Sequence, residues 1–159
     1  MITDVRTEWL AGVNLALPVS VLAEVGGFHP WLDRVGSRML SSGDVFLQKQ
    51  VMGRGYACLY SPKMAVRHRV PASRLRKPWF YRRYFWQGVS DAVMQLIEER
   101  PSRLQRIRKA AGKATSLLGD RRRLADLLRS TDEPDLLTRK CFALIPVGHA
   151  AGLLGLARH

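Results

Sequence analysis

PWFYRRYFWQGVSDAVMQLIEE, residues 78–99, sets the character of this chain. Trp79, Tyr84, Phe85, Val89, Val93 and Leu96 recur at helical intervals and predict a long helix. Pro101 interrupts it. Further on, Leu104, Ile107, Ala111, Ala114 and Leu118 form a second amphipathic set, and Leu124, Leu127 and Leu128 a third. Pro134 begins a fourth helix, and the stretch after Pro146 reads as a short apolar end. There is no internal repeat and no low-complexity tract.

Towards the N-terminus the signals are those of turns and short elements. Residues 13–17 alternate and predict a short strand. Pro18 opens a helix that runs to Val25, and Gly26-Gly27 stops it. Ser41-Ser42-Gly43 offers a cap for a helix over 44–54, with Val45, Leu47, Val51 and Met52 as its apolar positions and Gly55 at its end. Residues 56–60 and 64–68 read as strands around the Ser61-Pro62 turn.

Composition bounds the function classes. At 159 residues the chain is one domain, or one domain with an extension. Hydrophobic residues are 47% and charged residues 25%, the balance of a folded protein. The net charge is +13, and it is unevenly placed: residues 1–66 carry a net +1 and residues 67–159 a net +12. Such a chain favours anionic partners: nucleic acid, acidic lipid or phosphorylated ligands. Two cysteines exclude a disulfide scaffold and a multi-thiolate zinc site, and fit a reducing compartment. Asp4, Arg6 and Glu8 leave the first fifteen residues without the apolar run of a signal peptide. No segment reads as a transmembrane helix; the nearest, 141–157, contains Pro146, His149 and three glycines.

The motifs WLAGVNLALP, VLAEVGGF, SSGDVFLQKQVMGRGY, YSPKMAVRHRVP and RRYFWQGVSDA occur in that order over residues 9 to 93. Together they resemble the acceptor-side, C-terminal half of a family-two inverting glycosyltransferase with a GT-A fold. The resemblance rests on five motifs in order with matching gaps; each alone is weak. It implies an α+β, mostly helical chain: a partial GT-A half with a few short strands over 1–77, then a basic, aromatic helical extension over 78–159.

The resemblance implies roles residue by residue. Asp44 falls on the family's general base, which takes the proton of the acceptor hydroxyl as that oxygen attacks the anomeric carbon. The plainer reading of Asp44 is a helix-start aspartate. Gly43 departs from the pattern, since the family has a Glu there. Asn14, on the Gly12-Val13-Asn14 run, is expected with Gly12 to handle the acceptor, or else to tie a strand end to backbone. His68 falls near the family's metal and diphosphate, as a donor-side contact and metal ligand; a lone surface histidine is the bland reading. Arg69, Arg74, Arg82 and Arg83 follow it closely and have the forked chemistry that binds phosphate, or else form a solvated cationic face.

No Asp-x-Asp and no Rossmann-like half are present. The expectation is therefore a chain that lacks its donor-binding half and is inactive by itself. A divalent metal (Mn or Mg) belongs to the complete enzyme and none to this chain alone. The partners expected are a nucleotide-sugar donor and a glycan or lipid-linked acceptor, reached through the missing half, and an anionic membrane surface. The location expected is cytoplasmic, peripheral on the inner face of the membrane. The alternative is a non-catalytic basic helical module that binds anionic membrane or nucleic acid, though no nucleic-acid-binding signature occurs.

Overall fold

Proline, glycine and hydroxyl punctuation becomes helix ends in the computed structural model, which describes residues 8–34, 36, 38–130 and 132–157. Asp4 and Arg6 of the signal-peptide reading lie outside the described residues. Helix α1 (Val19–Glu24) follows Pro18. It closes where Gly27, at φ +75°, donates its N–H to the Leu22 carbonyl at 2.9 Å. Helix α2 spans Gly43–Gly53. Helix α3 (Lys77–Glu99) carries Pro78 in its first turn, where no intrahelical N–H is needed. Helix α4 (Arg103–Leu118) starts on a reciprocal cap: the Ser102 hydroxyl accepts from the Gln105 N–H and the Gln105 amide oxygen from the Ser102 N–H. At α5 (Arg121–Leu128) the Asp120 carboxylate accepts from the N–H groups of Arg122 and Arg123. Helix α6 (Pro134–Leu154) continues through Pro146, although a proline removes one ladder bond there.

The α+β expectation, a partial GT-A half with short strands, is overturned. Among the described residues the regular structure is helical, with no strand; Cys58 reaches only an isolated bridge. A strand needs a neighbouring strand to take up its N–H and C=O groups. Residues 13–17 are extended at Leu15 (φ −128°, ψ 131°), but Gly12–Asn14 coil into a 3-10 turn, with the Asn14 N–H on the Ala11 carbonyl at 2.9 Å. Just before that turn and at its first residue, helix side chains rather than a strand bind the backbone of Leu10 and Gly12. The segment 56–68 is broken by the Ser61-Pro62 turn, closed by the Met64 N–H on Ser61.

The described chain divides into two units. One takes in the chain up to Asp33 and Ser42–Arg69; the other takes Arg34–Ser41 and Val70 onward. In the first, Val21, Leu47, Val51 and Cys58 form a small core, with Leu10, Leu15, Leu17, Leu22, Val25 and Met52 packed against it. Glu24 clamps its rim, bound to Arg54 at 3.2 Å and to the Tyr56 hydroxyl at 2.8 Å. The Tyr56 bond, then Arg54, hold the Glu24 carboxyl below its usual range.

The second unit is built on α3 against α6. A Cβ placed on Gly88 would stand 1.9 Å from the Ile145 carbonyl oxygen, and one on Gly148 1.9 Å from that of Phe85. At Gly152 the obstacle is the Ala92 methyl at 2.7 Å. These small residues, spaced by four on each helix, let the two backbones touch. Ser90, fully buried, donates its hydroxyl to the Trp86 carbonyl and accepts the Ser41 N–H at 2.9 Å. The glycine and serine of the WQGVSDA motif thus have packing roles here.

His149 sits on α6 beside a cleft of about 620 Å³, where its Nε2 meets the Gln95 amide oxygen at 2.9 Å. Burial, reinforced by Lys113 and Lys109 and opposed by Glu99, pushes its pKa from 6.5 to about 4. The neutral ring is therefore favoured by folding. The unfolded chain binds a proton between 6.5 and 4 that the folded chain refuses, so this contribution to stability is full above 6.5 and is lost as pH falls towards 4. Urea unfolding across that window should show stability falling with acid, with a shallower fall in His149→Gln. An identical slope in the variant would contradict the assignment.

Candidate functional site

The site is built on the first two turns of α2. Asp44, half-buried in the first turn, accepts the Gly12 N–H on Oδ2 at 2.8 Å and its neighbour's Val45 N–H on Oδ1 at 2.9 Å. One turn on, Gln48 is 2% exposed and binds Leu10 twice. Its Oε1 accepts the Leu10 N–H at 2.7 Å, and its Nε2 donates to the Leu10 carbonyl at 2.7 Å. The match is one of repeat lengths. Four residues of helix rise about 6 Å, and two residues of extended chain advance about 6.6 Å. Asp44 and Gln48 therefore meet Gly12 and Leu10, and a helix edge stands in for a strand partner.

Space fixes the glycines here. A Cβ on Gly12 would lie 3.1 Å from the Asp44 Cβ and 3.2 Å from its Oδ2, so a bare backbone lets the carboxylate come this close. At Gly43 a Cβ would lie 3.0 Å from the Leu32 carbonyl oxygen. That contact is a steric reason for glycine where the family pattern has Glu. Ser42, buried ahead of Gly43, takes a left-handed conformation at φ 73°, a costly one for a residue with a Cβ.

Asn14 donates its Nδ2 to the Met64 carbonyl at 2.7 Å, tying the Gly12–Asn14 turn to the 61–68 segment. Gly12 and Asn14 thus lie on one 3-10 turn of the first unit, Gly12 bound to Asp44 and Asn14 separately to Met64. His68 and Arg69 are exposed at the end of that unit. Arg74 lies in the Ala72–Leu75 turn, and Arg82 and Arg83 on α3, all in the second unit. Among the described residues no three His, Cys, Asp or Glu side chains gather to hold a metal ion.

Beside the turn an apolar cleft of about 800 Å³ opens between the 9–18 segment, α2 and residues 56–64. Leu15, Leu17, Val21, Leu47, Val51 and Met64 line it, with Asn14, Gln48 and Tyr60 as polar groups. Gln48 was missed in the sequence; its signal is a polar residue four positions after Asp44, amid an otherwise apolar stripe. Gln48→Ala strands both polar groups of Leu10, at about 1–3 kcal/mol for each one left unsatisfied. The urea midpoint should drop accordingly; a change below about 0.5 kcal/mol, the usual surface value, would show that the pair carries no weight.

The chain is 27% identical over 95 residues to a glucosyl-dolichyl phosphate glucuronosyltransferase of Haloferax volcanii, a match spanning 59% of this chain and 30% of that protein. No protein-family model matches the chain, and no solved structure does. The chain thus covers under a third of the curated relative's length, and the likeness supports a relationship to glycosyltransferases at that coarse level.

Proposed function

We propose that this chain supplies the base-carrying, acceptor-side portion of an inverting glycosyltransferase, acting with a donor-binding portion not contained in it. Asp44 is the base. The acceptor hydroxyl oxygen attacks the anomeric carbon of a nucleotide sugar, the bond from that carbon to the nucleotide diphosphate breaks, and the hydroxyl proton passes to Asp44. The observation that carries this reading is the clasp of Asp44 on Gly12. Two backbone N–H groups hold the carboxylate in one orientation, and an ionised carboxylate has lone pairs beyond those two bonds to receive a proton.

Gly12 serves by letting the base approach, and Asn14 presents Oδ1 towards a sugar hydroxyl. Arg69, Arg74, Arg82 and Arg83, with His68, are the groups proposed for phosphate of the donor or of a lipid-linked acceptor. The relative's name specifies a sugar-bearing dolichyl phosphate; an acceptor of that class, a sugar on a lipid phosphate, is the one proposed here. The apolar cleft is where the donor-binding portion would seat.

The test is a chimera in which the matched stretch of the Haloferax volcanii enzyme is replaced by the corresponding residues of this chain. Transfer from a nucleotide sugar to a lipid-linked acceptor is expected from the chimera, and no turnover from the 159-residue chain alone. A folded chimera that binds nucleotide sugar and transfers nothing would reject the reading.

A further inference from the structure

The apolar set Leu104, Ile107, Ala111, Ala114 and Leu118 spans an arc of about 80° on α4, and it faces outward. Leu104 is 65% exposed, Ile107 47% and Leu118 63%. The helix packs in its unit by a different face. Ala110 is buried with Ala92 and Leu153, and Arg106 donates its Nε to the Leu153 carbonyl at 2.8 Å. A helix that serves only a core turns its apolar stripe inward; this one keeps a second stripe in solvent. Arg103 and Arg108, both exposed, border that stripe on its two sides. On α5, Leu128 is 87% exposed, and the helix opens with Arg121-Arg122-Arg123. Residues 100–130 hold ten basic and two acidic side chains, a net +8.

We propose that α4, continued by α5, docks this chain on an anionic lipid surface, with the Leu104–Leu118 stripe among the acyl chains and the flanking arginines at the headgroups. An exposed apolar stripe between cations is the pattern of an interfacial helix. The charge selects among occupants. A second copy of the same face would bring one +8 surface against another, which repel. Nucleic acid would use the arginines and leave the leucines and isoleucine without a partner, since the stripe has no aromatic ring on which a base could stack. Among the described residues no helix is long and apolar enough to cross a membrane, and the attachment proposed is by a helix lying in the interface.

The proposal is independent of glycosyl transfer and is tested without it. The 159-residue chain is sedimented with vesicles of phosphatidylcholine alone and of equal parts phosphatidylcholine and phosphatidylglycerol. Partition onto the acidic vesicles should exceed that onto neutral ones by about tenfold or more and weaken as salt rises. Two paired variants separate the components, L104S/I107S and R103Q/R108Q. All four side chains are exposed, so unchanged thermal unfolding is the control for folding. Each pair should weaken partition by about tenfold or more. Equal binding to both vesicle types, no binding to either at low salt, or full binding by L104S/I107S would overturn the proposal. So would capture by an RNA homopolymer, or a dimer abolished by the apolar pair, with no binding to acidic vesicles.

Discussion

Gly148→Val is expected to unfold the helical unit or bring its melting temperature down sharply, while Gly112→Ala raises it. Both are single substitutions at helical glycines; only the surroundings differ. At Gly148 the new Cβ would fall 1.9 Å from the Phe85 carbonyl oxygen, and the obstacle is helix backbone that no rotamer can move. The reciprocal contact at Gly88 on Ile145 means that relief requires pushing α3 and α6 apart along the seam. Overpacking a well-filled core costs about 1–3 kcal/mol and sometimes more; a clash with rigid backbone belongs at or above the top of that range. At about 4–8 °C per kcal/mol for a unit of this size, the midpoint should fall by more than about 10 °C. Gly112 has nothing within 4 Å of its added Cβ, so Ala there gains helix propensity of about 1 kcal/mol. Circular dichroism melting of the two variants checks both signs. A Gly148→Val protein that melts like the parent would refute the contact between the two backbones.

In the chimera that tests the proposed function, Asp44→Asn is expected to cut transfer by about 10²–10⁴-fold, the usual contribution of a positioned base. The amide cannot take the proton of the attacking hydroxyl, and its one oxygen can keep the Gly12 N–H only by giving up the Val45 N–H, so unchanged melting of the variant is the control for folding. Nucleotide-sugar binding, read by calorimetry, should survive. Gly12→Ala keeps the carboxylate but displaces it by a few tenths of an ångström, so its loss should be smaller. Equal activity of Asp44→Asn and the parent would return Asp44 to the plain role of clasping the Leu10–Gly12 backbone. Loss of both binding and melting cooperativity would mean that the clasp holds the unit together and does no chemistry.

Helix ends were legible because they are set by local chemistry. The run of residues 78–99 emerges as Lys77–Glu99, the set 104–118 as Arg103–Leu118, and the helix expected over 44–54 as Gly43–Gly53. Proline, glycine and capping side chains act within a few residues of themselves, so they need no knowledge of the rest of the chain.

Strand formation was not legible. An extended segment becomes a strand only when another supplies its hydrogen bonds, and here Asp44 and Gln48 supply them from a helix. Local sequence cannot tell these partners apart. Along the chain Gly148 and Gly152 read as breaks in an apolar stretch and Gly88 as part of a motif; only the pairing of α3 with α6 makes them the point where two backbones meet. Likewise, periodicity marked the apolar stripe of α4 but not whether it would be covered, because coverage is decided by where α6 lies. The sequence by itself therefore determined where most helices start and the concentration of positive charge in the second part, while α6 runs on through Pro146 to Leu154, past the point where the sequence reads as a separate apolar end. Tertiary structure alone decided which faces meet, what Gln48 does and which stripe stays in water, because each depends on residues tens of positions apart coming into contact.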